Sequence, residues 1–249
     1  MRKLLTIAFV SCLTLGLQAQ HKQTRKISTP SGVSVATSLQ TEYIRSNRNE
    51  VIVEAEDAKH LEQIETVVKD NVLYIRYKRN TTNVGRKNNR ITVYASTDLK
   101  SIEVSSSGSL TINDPIQTNS LDIDVSSSGK LQAGRIQAAK ASIDIGSSGR
   151  FTGAIRAQHL EIDASSSGKL TLTGEADQVS VDMSSSANLD LSGLKAKSVQ
   201  VDGSSSAYLS IQATESIRGD VSSSAKIEHI GTPKTISVSK SSSGRVTQK

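Results

Sequence analysis

Eight times along its C-terminal part, the sequence gathers serines into a tetrad that ends in glycine or alanine. The terminal residues are Gly108, Gly129, Gly149, Gly168, Ala187, Ala207, Ala225 and Gly244, spaced 21, 20, 19, 19, 20, 18 and 19 residues apart. One tetrad, Gly146-Ser147-Ser148-Gly149, lacks its first serine. A serine hydroxyl becomes a nucleophile only with a positioned base beside it. The histidines His21, His60, His159 and His229 are scattered, do not recur with the tetrads and have no ligand-like spacing. Serines repeated in every unit without a base read as scaffold, and no catalytic residue is assigned.

A second series could do different chemistry. Five residues before each terminal mark stand Glu103, Asp124, Asp144, Asp163, Asp182, Asp202 and Asp220, and Ser239 ends the series. Carboxylates stacked on one face repel one another, so they need compensation. Flanking serine hydroxyls and turn amides could supply it, with Lys130, Arg150, Lys169, Lys226 and Arg245 one residue after their marks. The alternative is a bound cation. Asp124, Asp144, Asp163, Asp182, Asp202 and Asp220 offer hard oxygen ligands, which suit calcium. Catalytic carboxylates are a third reading, and no other cofactor is expected.

These residues require an element that repeats about every 20 residues. The segments between tetrads are strand-like, and helical repeats need longer units. The expected fold is therefore all-β: a single-stranded parallel β-helix, or β-solenoid, of about eight coils over residues 101–249. Side chains along a strand alternate between faces. Counted from the marks, inward columns are expected at −6 (Ile102 to Val238), −4 (Val104 to Lys240) and +2 (Leu110 to Val246). Unless the backbone bends sharply at the tetrad, the same parity puts the middle serines inward: Ser106, Ser127, Ser147, Ser166, Ser185, Ser205, Ser223 and Ser242. They would form a hydroxyl ladder beside the Gly/Ala column, whose small size implies close approach of the wall.

An open rod end invites pairing with other chains and needs cover. Residues 27–100 can cap one end, with strands at Val33 to Ala36, Tyr43 to Arg45, Val51 to Ala55, Leu73 to Tyr77 and Ile91 to Ala95. A short helical turn is expected from Ala58 to Ile64. Residues 20–26 are expected to be flexible. The far end, Gly244 to Lys249, has only polar residues to protect it.

Met1 to Ala19 read as a secretory signal, with Arg2 and Lys3 before an apolar stretch too short to span a bilayer. The chain is expected to be exported to the periplasm, outer surface or medium. A rival reading makes Cys12 a lipid-attachment site, which would cut the apolar stretch in half. If the only cysteine leaves with the signal, disulfides and thiol chemistry are excluded. No second apolar run approaches a membrane span. The net charge of +6 is uneven: residues 20–100 hold 14 Lys/Arg against 9 Asp/Glu, and residues 101–249 hold 14 against 15. Much of the excess surrounds Lys78-Arg79, Arg86-Lys87 and Arg90, a pattern of solvated loops. Without interleaved aromatics it does not suggest nucleic acid as a partner.

The order of the N-terminal segments is also informative. Val33-Ser34-Val35 precedes Glu50-Val51-Ile52-Val53-Glu54-Ala55, then Ile64-Glu65-Thr66-Val67-Val68-Lys69-Asp70-Asn71-Val72-Leu73-Tyr74-Ile75. Ile91-Thr92-Val93-Tyr94, Leu99-Lys100-Ser101-Ile102 and the first tetrad follow. In this order the chain resembles the auto-transporter adhesin family with a head GIN domain, found in Gram-negative envelopes. It departs from that family at Ser38-Leu39-Gln40-Thr41-Glu42-Tyr43, where a strand containing Gly-Ile is usual. The resemblance implies an exported β-helical protein with an adhesin-like role, and it carries over no catalytic residue.

The resulting expectation is a non-enzymatic envelope protein with a structural or adhesin-like binding role. Its partner would be a surface glycan or a host or envelope protein. The alternative is a carbohydrate-binding or polysaccharide-acting β-helix, calcium-dependent as some lyases are. With no Trp, five Tyr and two Phe, the chain has few aromatic platforms for sugars, and Tyr208 is a lone outward candidate.

Overall fold

The computed structural model describes residues 21–81, 89–95 and 99–249. Residues 1–19, expected to be a secretory signal, and most of the basic run, residues 82–88, lie outside the described residues. The chain is a β-solenoid whose eight tetrads bound about seven turns, with 68% of residues in strands.

Nine short strands begin it: β1 (His21–Lys26), β2 (Gly32–Val35), β3 (Gln40–Arg45), β4 (Glu50–Ala55), β5 (Ile64–Lys69), β6 (Val72–Tyr77), β7 (Arg90–Ala95), β8 (Ser101–Val104) and β9 (Ser109–Ile112). Then come β10 (Ile116–Val125) and five long strands: β11 (Lys130–Ile145), β12 (Arg150–Ala164), β13 (Lys169–Met183), β14 (Asn188–Gly203) and β15 (Tyr208–Val221). The rod finishes with β16 (Lys226–Ile230), β17 (Thr235–Lys240) and β18 (Arg245–Gln248). Successive coils pair in parallel and in register.

Each long strand is one coil bent at two corners, with the tetrad turn as a third. In β11 the buried residues are Leu131 and Ala133, then Ile136 and Ala138, then Ala141, Ile143 and Ile145. Period-two burial holds within each group and skips a residue between groups, because a corner reverses which parity faces the core. Three faces result. Bulges at the corners, such as those between Ala133 and Arg135 and between Leu191 and Lys195, absorb the variation in unit length. The inward columns at −6, −4 and +2 are buried as expected except toward the rod's end. There, Gly219, Val238 and Val246 are half-buried and Lys240 is exposed.

The middle serines are a correction. Ser106, Ser127, Ser147, Ser166, Ser185, Ser205, Ser223 and Ser242 are all exposed. The second and third residues of every tetrad have φ between +44° and +67°. Two successive left-handed residues make a tight turn, so strand parity does not run through it. The terminal residue's amide closes each turn on the carbonyl of the first residue at 2.7–3.1 Å. In the first seven tetrads the third-position amide donates to the middle carbonyl of the next coil, as Ser128 does to Ser147 at 2.9 Å. The ladder that was expected of hydroxyls is carried by backbone.

The N-terminal region differs in two further ways. Residues 21–26, expected to be flexible, form β1, which pairs antiparallel with β4 across six residues. And the solenoid does not start at residue 101. Strands β2 and β3 form a coil of their own, lying parallel between β6–β7 on one side and β8–β9 on the other. Thr37 and Ser38 take the left-handed pair there, at φ +60° and +58°, and the Ser38 amide donates to the Ser106 carbonyl. The covering elements beyond that stack are the antiparallel strands β1, β4 and β5 and a helix, α1 (Ala58–Gln63). Asp57 caps the helix by accepting from the His60 amide at 2.8 Å. Among the described residues the opposite end has no comparable cover: Ile236, in a column that is otherwise core, is 46% exposed. Lys240 at an inward position and the cations Lys234, Arg245 and Lys249 discourage pairing along that edge.

Candidate functional site

The tetrad corner organises the surface. Upstream of it, on the outward side of one face, the acids stack in register from Glu103 through Asp124, Asp144, Asp163, Asp182 and Asp202 to Asp220. All are exposed. With the first tetrad residues Ser126, Gly146, Ser165, Ser184, Ser204 and Ser222, the six aspartates line a shallow groove of about 670 Å³ along the rod.

The expected compensation for these acids is largely missing. Among the described residues, no salt bridge reaches the column, and its one side-chain hydrogen bond runs from the Asp220 amide to Asp202 Oδ1 at 3.2 Å. Lys130, Arg150 and Lys169 are exposed on the adjoining face. Partial burial, with repulsion from Asp163, Asp124 and Asp122, pushes the Asp144 carboxyl above its ordinary pKa. Partial burial, with Asp163 and Asp202, does the same for Asp182. The aspartates do not fit the calcium reading well. Among the described residues, no three His, Cys, Asp or Glu side chains converge as a metal-holding group. Stacking spreads the carboxylates about 4.8 Å apart along a line, where a calcium site needs oxygens wrapped around one point.

A carboxyl whose folded pKa lies above its unfolded value binds its proton more readily in the native state. Its contribution to stability is fully present below the unfolded pKa and is lost as pH rises through the folded pKa. At neutral pH the ionised Asp144 and Asp182 therefore oppose folding. Asp144→Asn is expected to raise the melting temperature at pH 7 by about 1–2 °C, a small gain because the groups are largely exposed and screened. Differential scanning calorimetry at pH 7 and pH 3.5 checks this. An equal gain at both values would mean that charge is not the cause.

The small residues at the marks sit where the wall is tightest. A Cβ at Gly129 would lie 2.2 Å from the Val104 carbonyl oxygen, and one at Gly149 would lie 2.1 Å from that of Val125. Gly108, Gly168 and Gly244 meet the same carbonyl of the preceding coil at 2.9, 2.6 and 2.1 Å. Ala187, Ala207 and Ala225 are buried at the equivalent place in three other coils.

For serine nucleophiles the geometry is unfavourable. Among the described residues, no histidine is hydrogen-bonded to a tetrad serine. His60 Nδ1 lies 2.6 Å from Asp57, and His159 Nδ1 lies 3.0 Å from Gln178. His229 is buried, with Nδ1 unpartnered. Tyr208 is half-buried, its hydroxyl donates to Glu228 at 2.6 Å, and Lys226 Nζ lies 5.9 Å from its ring centroid.

Sequence reasoning missed the other outward columns. Arg156, Glu175 and Lys195 stack in register, as do Asp177 and Lys197 beyond the next corner. These columns alternate in sign and pair internally, Arg156 with Glu175 at 2.7 Å and Lys197 with Asp177 at 2.6 Å, and a diagonal pair, Lys140 with Glu161 at 2.9 Å, links two neighbouring columns. Between them a buried alanine column, Ala138, Ala157, Ala176, Ala196 and Ala213, draws the corner in. The signal was present as recurrence of alanine and of alternating charge at the repeat period.

Comparison places this architecture among known proteins. No curated protein matches the sequence. Among solved structures, a "putative lipid binding protein" from Parabacteroides distasonis superposes with a TM-score of 0.83 at 22% identity, over 92% of this chain and 96% of that one. A "putative adhesin" from Parabacteroides merdae gives 0.82 at 13% identity, over 92% and 96%. Another "putative adhesin", from Bacteroides fragilis, gives 0.67 at 22%, over 92% and 97%. At these identities the likeness is one of fold. The family described as "Putative auto-transporter adhesin, head GIN domain" matches residues 29–233 and thus most of the repeat array, and the chain belongs to that family.

Proposed function

We propose that this is a non-enzymatic, exported envelope protein with a structural or adhesin-like binding role. The observation that carries this reading is the repetition of its outward residues. The rod displays the same acid, serine doublet and small residue at nearly every level, which suits an extended partner and provides no single reacting centre. Family membership and the signal-like pattern of Met1 to Ala19 support export to the envelope. Among the described residues, no helix is long and apolar enough to cross a membrane. Partners of the right chemistry are a surface glycan or a host or envelope protein. The polysaccharide-acting, calcium-dependent alternative has less support, given the linear aspartates and the engaged Tyr208.

The test combines protease accessibility on intact cells with glycan and matrix-protein arrays probed with the purified chain. Cleavage on intact cells and saturable binding to at least one array component are expected. A chain shielded in intact cells and silent on both arrays would sink the adhesin-like role.

A further inference from the structure

Charge is arranged differently at the tetrad corner than on the rest of the rod. Elsewhere two outward columns carry alternating charge and neutralise themselves within the stack, Arg156 with Glu175 and Asp177 with Lys197. At the tetrad corner, sign is segregated by column. Asp124, Asp144 and Asp163 stack in register on the upstream side, and Lys130, Arg150 and Lys169 stack in register on the downstream side. All six are exposed, and no salt bridge among the described residues involves any of them. The serine doublets between the columns are exposed as well.

A column of one sign cannot be neutralised by its own stack. A second copy can do it, and symmetry says how. A two-fold axis that runs parallel to the rod, just outside the tetrad corner, brings the acid column of each copy opposite the cation column of the other, twice over. A two-fold perpendicular to the rod sets acid against acid and cation against cation. Both columns follow the same backbone ladder, so their charges share one spacing of about 4.8 Å and match at every level. We propose that two copies of this chain associate side by side and parallel through the tetrad corner, with Asp124, Asp144 and Asp163 of each facing Lys130, Arg150 and Lys169 of the partner subunit. The neutralisation also explains why a chain would keep like charges stacked here where those two columns avoid them.

Exposed ion pairs are individually weak and screened by salt, so the association is modest and depends on ionic strength. Sedimentation equilibrium of the purified chain at about 0.05 M and about 0.5 M ionic strength should show a dimer whose affinity falls at least about tenfold at the higher value. Lys130→Asp/Arg150→Asp/Lys169→Asp makes both columns acidic, and Asp124→Lys/Asp144→Lys/Asp163→Lys makes both basic. Each triple variant should be monomeric alone, and the two mixed should form a 1:1 complex. The six-fold swap, which exchanges the columns, should restore the homodimer. All six side chains point outward, so circular dichroism and thermal melting verify that each variant keeps the fold. A monomer at low ionic strength, or a dimer indifferent to the triple substitutions, overturns the proposal. So does a six-fold swap that stays monomeric.

Discussion

Phe151→Ala is expected to destabilise the rod by about 3–5 kcal/mol, among the largest losses a single substitution can cause here. Phe151 is 1% exposed and stacks in register between Leu131 and Leu170. Two residues on, Gly153 stands where the adjacent coils have Ala133 and Leu172. A Cβ at Gly153 would come within 3.0 Å of the Phe151 ring. The ring therefore fills space belonging to two columns, and removing it opens both. The coils cannot close over the gap, because hydrogen bonds hold them about 4.8 Å apart on either side. Urea denaturation of the two chains measures the loss. A difference below about 1 kcal/mol would show that the coils collapse more freely than a hydrogen-bonded stack should. Phe151→Leu, which retains much of the volume and matches the column, should lose well under half as much.

Gly219→Val should also be severe, although the aligned repeats recommend it. The −6 column reads Ile, Ile, Ile, Ile, Val, Val before Gly219 and Val after it. On that pattern a β-branched aliphatic residue is the consensus choice, valine stands in both adjacent coils, and consensus substitutions commonly stabilise. The backbone decides otherwise. Gly219 has φ +133°, and a Cβ there would sit 1.9 Å from the Val201 carbonyl oxygen. A β-branched residue in that conformation pays both strain and overlap, about 2–4 kcal/mol together. Gly203→Ala is the control. Its Cβ would meet the far end of Met183 at 2.7 Å, a flexible side chain that can turn aside, so its cost should be the smaller. Thermal melts of both variants check the ranking. A Gly219→Val protein as stable as the parent would show that the coil relaxes its register there.

Much of this architecture is legible without coordinates. The tetrads and the inward columns could be read because a solenoid repeats one environment every coil, so eight copies of the same constraint average out local noise. The −6 column from Ile102 to Val201 and the +2 column from Leu110 to Ile227 fell on the core for that reason. The short helical turn expected from Ala58 to Ile64 is the helix at Ala58–Gln63, and the acid column emerged from alignment alone. The strand pairing of His21 to Lys26 was not legible: its residues are polar and exposed, and only the backbone ladder to β4 holds them.

Where the repeat breaks, local pattern no longer suffices. The coil of β2 and β3 has no serine tetrad, and its place between β6–β7 and β8–β9 depends on parallel pairing between segments far apart in the chain. The tetrad's duties were assigned wrongly for a related reason. Alternation is a property of extended backbone, and two left-handed residues at each corner cancel it, which turned the middle serines from core to solvent. By itself, then, the sequence determined the repeat, the all-β rod and the position of its apolar columns, because these follow from period and side-chain type. The tertiary structure alone decided the three corners, the out-of-order coil, the exposed serine doublets and the separation of acid from cation across the tetrad edge. Each of those depends on backbone sign or on contacts between distant coils, neither of which a single strand's pattern contains.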